Sequence, residues 1–267
     1  KTIEEVVAEA KRLVRMGVKE IMLIAQELTY YGLDIYKKRA LPDLLKYLSD
    51  IEGLHWIRLH YAYPSKFPME ILDVMREREN ICNYLDMPLQ HISDNMLKAM
   101  KRQITRAEIT DLIAGIRDRV PGICIRTTLI AGFPGETRDD VEDLKQFLVD
   151  TRLDRVGIFT YSHEENTSAF ELADTLSSEE KEARAQEIME VQQEISYEIN
   201  QEKVGKTFKV IIDKKEAGRY LARTEFDSVE VDNEVVITSK KALPIGDFVN
   251  VKITKAFDYD LEGEVIA

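Results

Sequence analysis

The sequence predicts an α/β fold, a partial (β/α) barrel followed by a small all-β barrel, and three observations point there. Amphipathic helices alternate with short apolar strands through the first two thirds of the chain. Polar side chains recur at the C-terminal end of nearly every strand, the rim on which parallel α/β folds build their sites. Past Gly205 the pattern changes to β-branched, alternating runs broken by Gly, Asn and Pro.

Taken in order, a helix over Ile3–Met16 stops at Gly17 and a strand follows over Glu20–Ala25. A helix over Leu41–Ile51 stops at Gly53, ahead of a strand over Trp56–His60. The helix Met69–Arg78 leads to a strand over Tyr84–Pro88. Helices around Asn95–Met100 and Arg106–Arg119 lead past Pro121-Gly122 to a strand over Cys124–Ala131. The helix Asp139–Asp150 precedes the strand Arg155–Tyr161. Strands separated by helices imply a parallel sheet, because each return to a parallel neighbour needs a crossover of a dozen or more residues. An open doubly wound sheet gives the same pattern; the polar rim (Gln26-Glu27, His60, Gln90-His91, Gly132 to Glu136, Ser162-His163) favours a barrel.

Ser177-Ser178-Glu179-Glu180 then reads as a capping box, and Ile188, Val191, Ile195 and Ile199 continue at helical spacing to about residue 204. The runs Phe208–Ile212, Tyr220–Thr224, Glu234–Thr238 and Phe248–Ala256 predict a compact antiparallel barrel. The expected domains are therefore 1–204, with the linking helix over 178–204, and 205–267.

Composition narrows the class. The chain is 44% hydrophobic and carries a net charge of -12, so it can bury a large core and has no overall attraction to phosphate backbones. A basic partner suits it better. No apolar run approaches the roughly 20 residues needed to cross a bilayer. Cys82 and Cys124 lack CxxC spacing and read as core residues in a reducing, cytoplasmic compartment. The four histidines show no paired-ligand spacing. Gly132-Phe133-Pro134-Gly135-Glu136-Thr137 joins a strand to a helix; it lacks the Gly-Lys-Ser/Thr of a phosphate loop, and its helix begins with Asp139 and Asp140. Bare pattern leaves it either a close-approach loop or only a tight turn. Gln26 and Glu27 either hold an ammonium group or are solvated loop residues. Arg126 and Thr128 share one face of their strand, so Arg126 either points into a polar barrel interior, the favoured reading, or sits at its edge.

Five strings, in order, resemble the radical S-adenosylmethionine methylthiotransferases: Ala25 to Gly32, Arg58 to Pro64, Leu85 to His91, Arg126 to Thr137 and Phe159 to Thr167. The segment after Gly205 resembles a TRAM domain. Arg58 to Pro64, Asp86 to His91 and Ser162 to Thr167 are most similar to the branch that adds a methylthio group to the β-carbon of an aspartate on a small-subunit ribosomal protein. The alternatives are the tRNA (adenosine) branch and a non-catalytic TRAM-bearing binding module. Residues 205–267 hold 10 basic and 12 acidic side chains, a poor match to tRNA and a tolerable one to a basic ribosomal protein.

The resemblance implies S-adenosylmethionine and two 4Fe-4S clusters in a complete enzyme, with reductive cleavage of the cofactor initiating hydrogen removal from the aspartate. It places Gln26 and Glu27 near the methionine end, Gln90, Arg126 and Thr128 on the barrel interior, and Gly132, Glu136 and Tyr161 near the adenosine. The family's C-x3-C-x2-C loop is not found here, and Lys1 to Ala10 resemble the helix after it. The chain is therefore expected to be an inactive fragment without metal ligands or bound cofactor, its acidic β domain a docking surface for the ribosomal protein.

Overall fold

The computed structural model describes residues 1–266. Its first half is a parallel sheet of β1 (Glu20–Leu23), β2 (Trp56–Leu59), β3 (Ile81–Asp86), β4 (Cys124–Ala131) and β5 (Arg155–Thr160), in that spatial order. The sheet follows sequence order, as right-handed crossovers produce, and does not close on itself. It is part of a barrel wall, with β1 and β5 at its edges.

The crossover helices are α1 (Ile3–Arg15), α2 (Leu41–Ser49), α3 (Glu70–Glu77), α4 (Asp94–Ala99), α5 (Arg106–Arg119) and α6 (Arg138–Thr151). Thr2, Thr105 and Thr137 cap α1, α5 and α6, each answered by an acidic side chain three residues on. The helix-facing side of the sheet presents Ile57, Leu59, Leu85, Ile125 and Leu129, which join Leu45, Leu48, Ile71, Ile109 and Leu144 in the main core. Helix α7 (Ser178–Gln201) is capped by Ser177 and seats Ile188 and Ile195 in the same core.

After α7, strands β6 (Thr207–Glu216), β7 (Arg219–Thr224), β8 (Val235–Ile237), β9 (Phe248–Ala256) and β10 (Leu261–Val265) form a closed barrel in the order β10-β8-β7-β6-β9. Only the β10–β8 pairing is parallel. Its own core is Val210, Ile212, Tyr220, Ala222, Val251 and Ile253 with their neighbours.

Several strands differ from expectation: β1 ends at Leu23 rather than Ala25, and β6 runs on to Glu216 rather than stopping at Ile212. β3 spans Ile81–Asp86 rather than 84–88, because Met87 onward turns out along the sheet top and reaches Gln90 with a positive φ of 70°. The strand β10 went unread: Leu261-Glu262-Gly263-Glu264-Val265 is short and acidic, yet Gly263 admits close approach, since a Cβ there would collide with Val251.

The two halves are packed together through the sheet's concave face. Trp56, Cys82, Tyr84 and Cys124 on that face meet Ile211, Phe226 and Phe248 of the β barrel. Asn200, fully buried at the end of α7, donates to the carbonyls of Phe257 (3.1 Å), Asp258 (3.4 Å) and Tyr259 (2.9 Å) and fixes the β9–β10 turn.

Candidate cofactor face and its floor

Side chains alternate along a strand, so the residues opposite the helix core line the barrel interior: Arg58 and His60 on β2 and just beyond it, Tyr84 and Asp86 on β3, Arg126 and Thr128 on β4. These are polar, and their partners are internal. Asp86 is buried and accepts from Arg126 Nη1 at 2.8 Å and from the Tyr61 backbone N–H at 3.1 Å; His60 Nδ1 lies 3.6 Å away. Burial alone would push the Asp86 carboxyl up, but His60, Arg126 and the Tyr61 amide outweigh it and hold the group below its ordinary range. Arg126 also donates to Thr128 Oγ1 at 3.3 Å, and its guanidinium, paired with Asp86, is held protonated.

Gln90 stands at the top of this face. Its backbone bridges to β4 through Gln90 N to Thr128 O (2.9 Å) and Ile130 N to Gln90 O (2.8 Å). Its side-chain Oε1 is buried with no partner, an acceptor awaiting a donor. A left-handed non-glycine residue ending in an orphaned polar atom is the arrangement expected where a chain is held to meet a ligand.

Glu27 closes one side. Its Oε1 accepts from Thr29 N (2.8 Å), Thr29 Oγ1 (2.5 Å) and Tyr63 N (3.2 Å), which ties the loop after β1 to the loop after β2. Gln26 beside it is exposed. On the other side Tyr161, half-buried, lies edge-on to Phe133 with centroids 5.1 Å apart and bonds His163 Nδ1 at 3.1 Å.

The Gly132–Glu136 loop is held from within. Both Glu136 carboxylate oxygens accept from Gly132 N (3.0 and 2.9 Å), and Oε1 also accepts from Arg184 of α7 at 3.0 Å. His91, whose Nδ1 accepts from Ile92 N and Ser93 N, places Nε2 3.5 Å from the same carboxylate. Glu136 is thus sealed beneath the loop and sets its shape. Gly132 carries φ +78°, and a Cβ there would run into Lys181. Asp140 turns inward to accept from Thr137 N and from Ser93 Oγ, so one of the two acidic side chains at the start of α6 is engaged inside the fold.

Arg126, Thr128 and Gln90 therefore form one cluster; Gly132, Glu136 and Tyr161 form a second around the β4–α6 loop; Glu27 belongs to a third at the β1 and β2 ends. Asp86 and His60 are central to the first cluster; His60 was read only as a rim residue and Asp86 only within the string Asp86 to His91, and neither was given a role at the site. The available signal was a charged or polar residue at an inward strand position beside apolar neighbours.

The floor of this face comes from the β barrel. Loop 225–234, between β7 and β8, reaches under the sheet: Asp232 accepts from Tyr84 OH (2.7 Å) and Arg126 Nε (3.3 Å), and Ser228 Oγ lies 3.0 Å from His60 Nε2. Arg58, with no exposed surface, donates to Glu20 (3.0 Å) and to the Glu225 carbonyl (2.6 Å), while Arg223 joins Glu20 (2.7 Å) and Asp213 (2.7 Å). Asp227 binds Arg155 through Nε (3.1 Å) and Nη2 (2.7 Å). None of this was legible in sequence, where the β barrel read as an outward docking surface; loop 225–234 is instead covered by the chain's own sheet.

The two cysteines lie on the sheet face against this floor, unpaired and buried. Desolvation pushes the Cys82 thiol up to about 12 and raises Cys124 as well. Both stand as core residues and do not fit a set of cluster thiolates. Among the described residues no group of three or more His, Cys, Asp or Glu could hold a metal ion. No helix among them is long and apolar enough to cross a membrane.

Comparison with known proteins agrees with this layout. The Radical SAM superfamily model matches residues 1–148 and the TRAM domain model residues 204–266. The chain is 57% identical over 264 residues to the ribosomal protein uS12 methylthiotransferase RimO of Flavobacterium psychrophilum, covering 98% of this chain and 61% of that protein. It is 57% identical over 265 residues to the protein of the same name from Cytophaga hutchinsonii, covering 99% and 61%. The chain thus spans about three fifths of the length of these curated relatives. In fold it is similar to the coproporphyrinogen III oxidase HemN of Escherichia coli, a radical SAM enzyme, with a TM-score of 0.57 at 17% identity over 74% of this chain and 47% of that one.

Proposed function

The chain belongs to the radical SAM superfamily and ends in a TRAM domain, and on that premise we propose that it is the barrel-wall and TRAM portion of a methylthiotransferase that modifies ribosomal protein uS12, attaching a methylthio group to the β-carbon of an aspartate. The observation that carries this reading is the 57% identity to uS12 methylthiotransferases across nearly the whole chain. The polar interior face supports it, with the orphaned Gln90 acceptor at its top.

The residues present fit S-adenosylmethionine. Gln90 Oε1 lacks a donor, as a site for an amine or hydroxyl would, and Gly157 leaves open the space beside the Arg126 guanidinium. When bound to a cluster-loaded enzyme, that cofactor supplies the radical that begins the reaction. Gln26 and Glu27 would lie near its methionine end, Gln90, Arg126 and Thr128 along its path on the barrel interior, and Gly132, Glu136 and Tyr161 near its adenosine. Within these assignments the geometry separates two tasks: Gln90 carries an unpartnered side-chain acceptor and Tyr161 a half-buried ring, whereas Glu27 and Glu136 fix the loops around them through backbone N–H groups. The residues do not fit the clusters themselves. Cys82 and Cys124 are sealed between the sheet and the β barrel, and no C-x3-C-x2-C loop is found in these 267 residues.

The partner is the basic substrate protein, in the cytoplasm, and not tRNA. The TRAM barrel is net acidic over 205–267, and salt-dependent attraction to a phosphate backbone needs the opposite sign. Binding measurements test this. Association of the chain with purified uS12, without salt-sensitive association with anticodon stem-loop RNA, is expected; the reverse pattern points to the tRNA (adenosine) branch and overturns the reading.

A further inference from the structure

The contact between the TRAM barrel and the sheet interior lies directly beneath the cofactor face. Loop 225–234 does more than cover apolar surface there. Asp232 divides its carboxylate between the two sides of the interior: Oδ2 accepts from Tyr84 OH at 2.7 Å and from Ser228 N at 2.8 Å, and Oδ1 accepts from Arg126 Nε at 3.3 Å. Arg126 is thereby gripped at both ends, by Asp232 below through Nε and by Asp86 and Thr128 above through Nη1. Its Nη2 is left toward Gly157, where a Cβ would come within 3.8 Å. A guanidinium is a rigid planar fork, so two carboxylates acting on different nitrogens fix its plane as well as its place. Ser228 does the same for His60, bonding Nε2 at 3.0 Å while Nδ1 looks toward Asp86.

We propose that the TRAM domain supplies the floor of the cofactor face, and that its Asp232 is a positioning residue that orients Arg126 from below. The TRAM domain is then part of the barrel's working structure as well as any recognition surface it offers. The link from Arg126 to cofactor binding rests on the reading given above; the positioning of Arg126 by Asp232 does not.

A neighbouring pair separates positioning from stability. Asp227, on the same loop, has a side chain as buried as that of Asp232 and binds Arg155, and it forms no hydrogen bond or salt bridge with Arg126. In arginine side-chain ¹⁵N–¹H spectra of the 267-residue chain, the Arg126 Nε–H, identified by its loss in Arg126→Lys, is expected to be protected from exchange. Asp232→Asn is expected to speed that exchange at least tenfold. Asp227→Asn is expected to lower the melting temperature yet leave the Arg126 resonance in place. An Arg126 signal unchanged in Asp232→Asn, or changed as much by Asp227→Asn, overturns the proposal.

Calorimetric binding of S-adenosylmethionine to the cluster-loaded enzyme adds the cofactor arm. Arg126→Lys and Asp232→Asn are each expected to weaken binding about tenfold, and Asp227→Asn not to. Loss in Arg126→Lys with none in Asp232→Asn overturns the positioning claim. No loss in Arg126→Lys removes Arg126 from the cofactor reading, while the spectra still decide its positioning.

Discussion

Replacing Asp227 by Ala tests how firmly the two halves are joined. Asp227 and Arg155 are 1% and 4% exposed, so the change leaves a guanidinium buried with only the Asp154 carbonyl, at 2.8 Å, still accepting from it. Thr224 Oγ1, which donates to this carboxylate at 2.5 Å, also loses its acceptor. Breaking one side of a buried ion pair costs about 3–5 kcal/mol, because an uncompensated charge stays behind. At about 2–4 °C per kcal/mol for a chain of this size, the melting temperature should fall by roughly 6–20 °C. Calorimetric scanning of wild type, Asp227→Ala and the double variant Asp227→Leu/Arg155→Met measures it. The double variant should recover most of the loss, since apolar replacement of a whole buried pair is often neutral. A fall of less than about 2 °C in the single variant, or a double variant no better than the single, would refute the view that this buried pair holds the two halves together.

Other outcomes follow from the same geometry. Burial alone would raise the Asp227 carboxyl, but Arg155, Lys203 and Thr224 outweigh it and depress it below the unfolded value, so its stabilisation is present above about pH 4 and is lost as pH falls through the folded pKa. The stability difference between wild type and Asp227→Asn should therefore be largest near neutrality and shrink on acidification in denaturant titrations; a difference that grows in acid contradicts the assignment. Gly132→Ala should cost about 1–3 kcal/mol and loosen the loop to Glu136, because φ is +78° and Lys181 occupies the space, and amide exchange at 132–136 reads it directly. Asn200→Ala, which strips three carbonyls of their donor, should cost about 2 kcal/mol and speed exchange in the β9–β10 turn. The chain by itself should give no calorimetric heat with S-adenosylmethionine at micromolar concentration, since its two cysteines are buried and neither can hold a cluster that would anchor the cofactor.

Periodicity and punctuation made the helices and most strands legible. Ser177 marked a helix start that the structure keeps, accepting from Glu180 N, although the reciprocal half of the expected capping box does not form; the capping boxes at Thr2, Thr105 and Thr137 were not read. The strand Leu261–Val265 was missed because two of its five residues are acidic and one is glycine, so its place is set by pairing with β9 and not by its own preference. The polar rim was readable for a similar local reason. The floor was not. Arg58, Asp86, Ser228 and Asp232 are ordinary polar letters until two segments about 150 residues apart meet, and which charges become buried together is a property of tertiary packing. Glu136 shows the converse: its place in a distinctive loop was evident, while its engagement by Gly132, Arg184 and His91 could be seen only in three dimensions.

The central claim concerns the substrate, and mass spectrometry of uS12 tests it most directly. With this chain joined to its cysteine-bearing segment and loaded with clusters, uS12 should gain one methylthio group in place of a hydrogen on an aspartate β-carbon, and tRNA should stay unmodified. An unchanged uS12 alongside a methylthiolated tRNA adenosine would contradict the account.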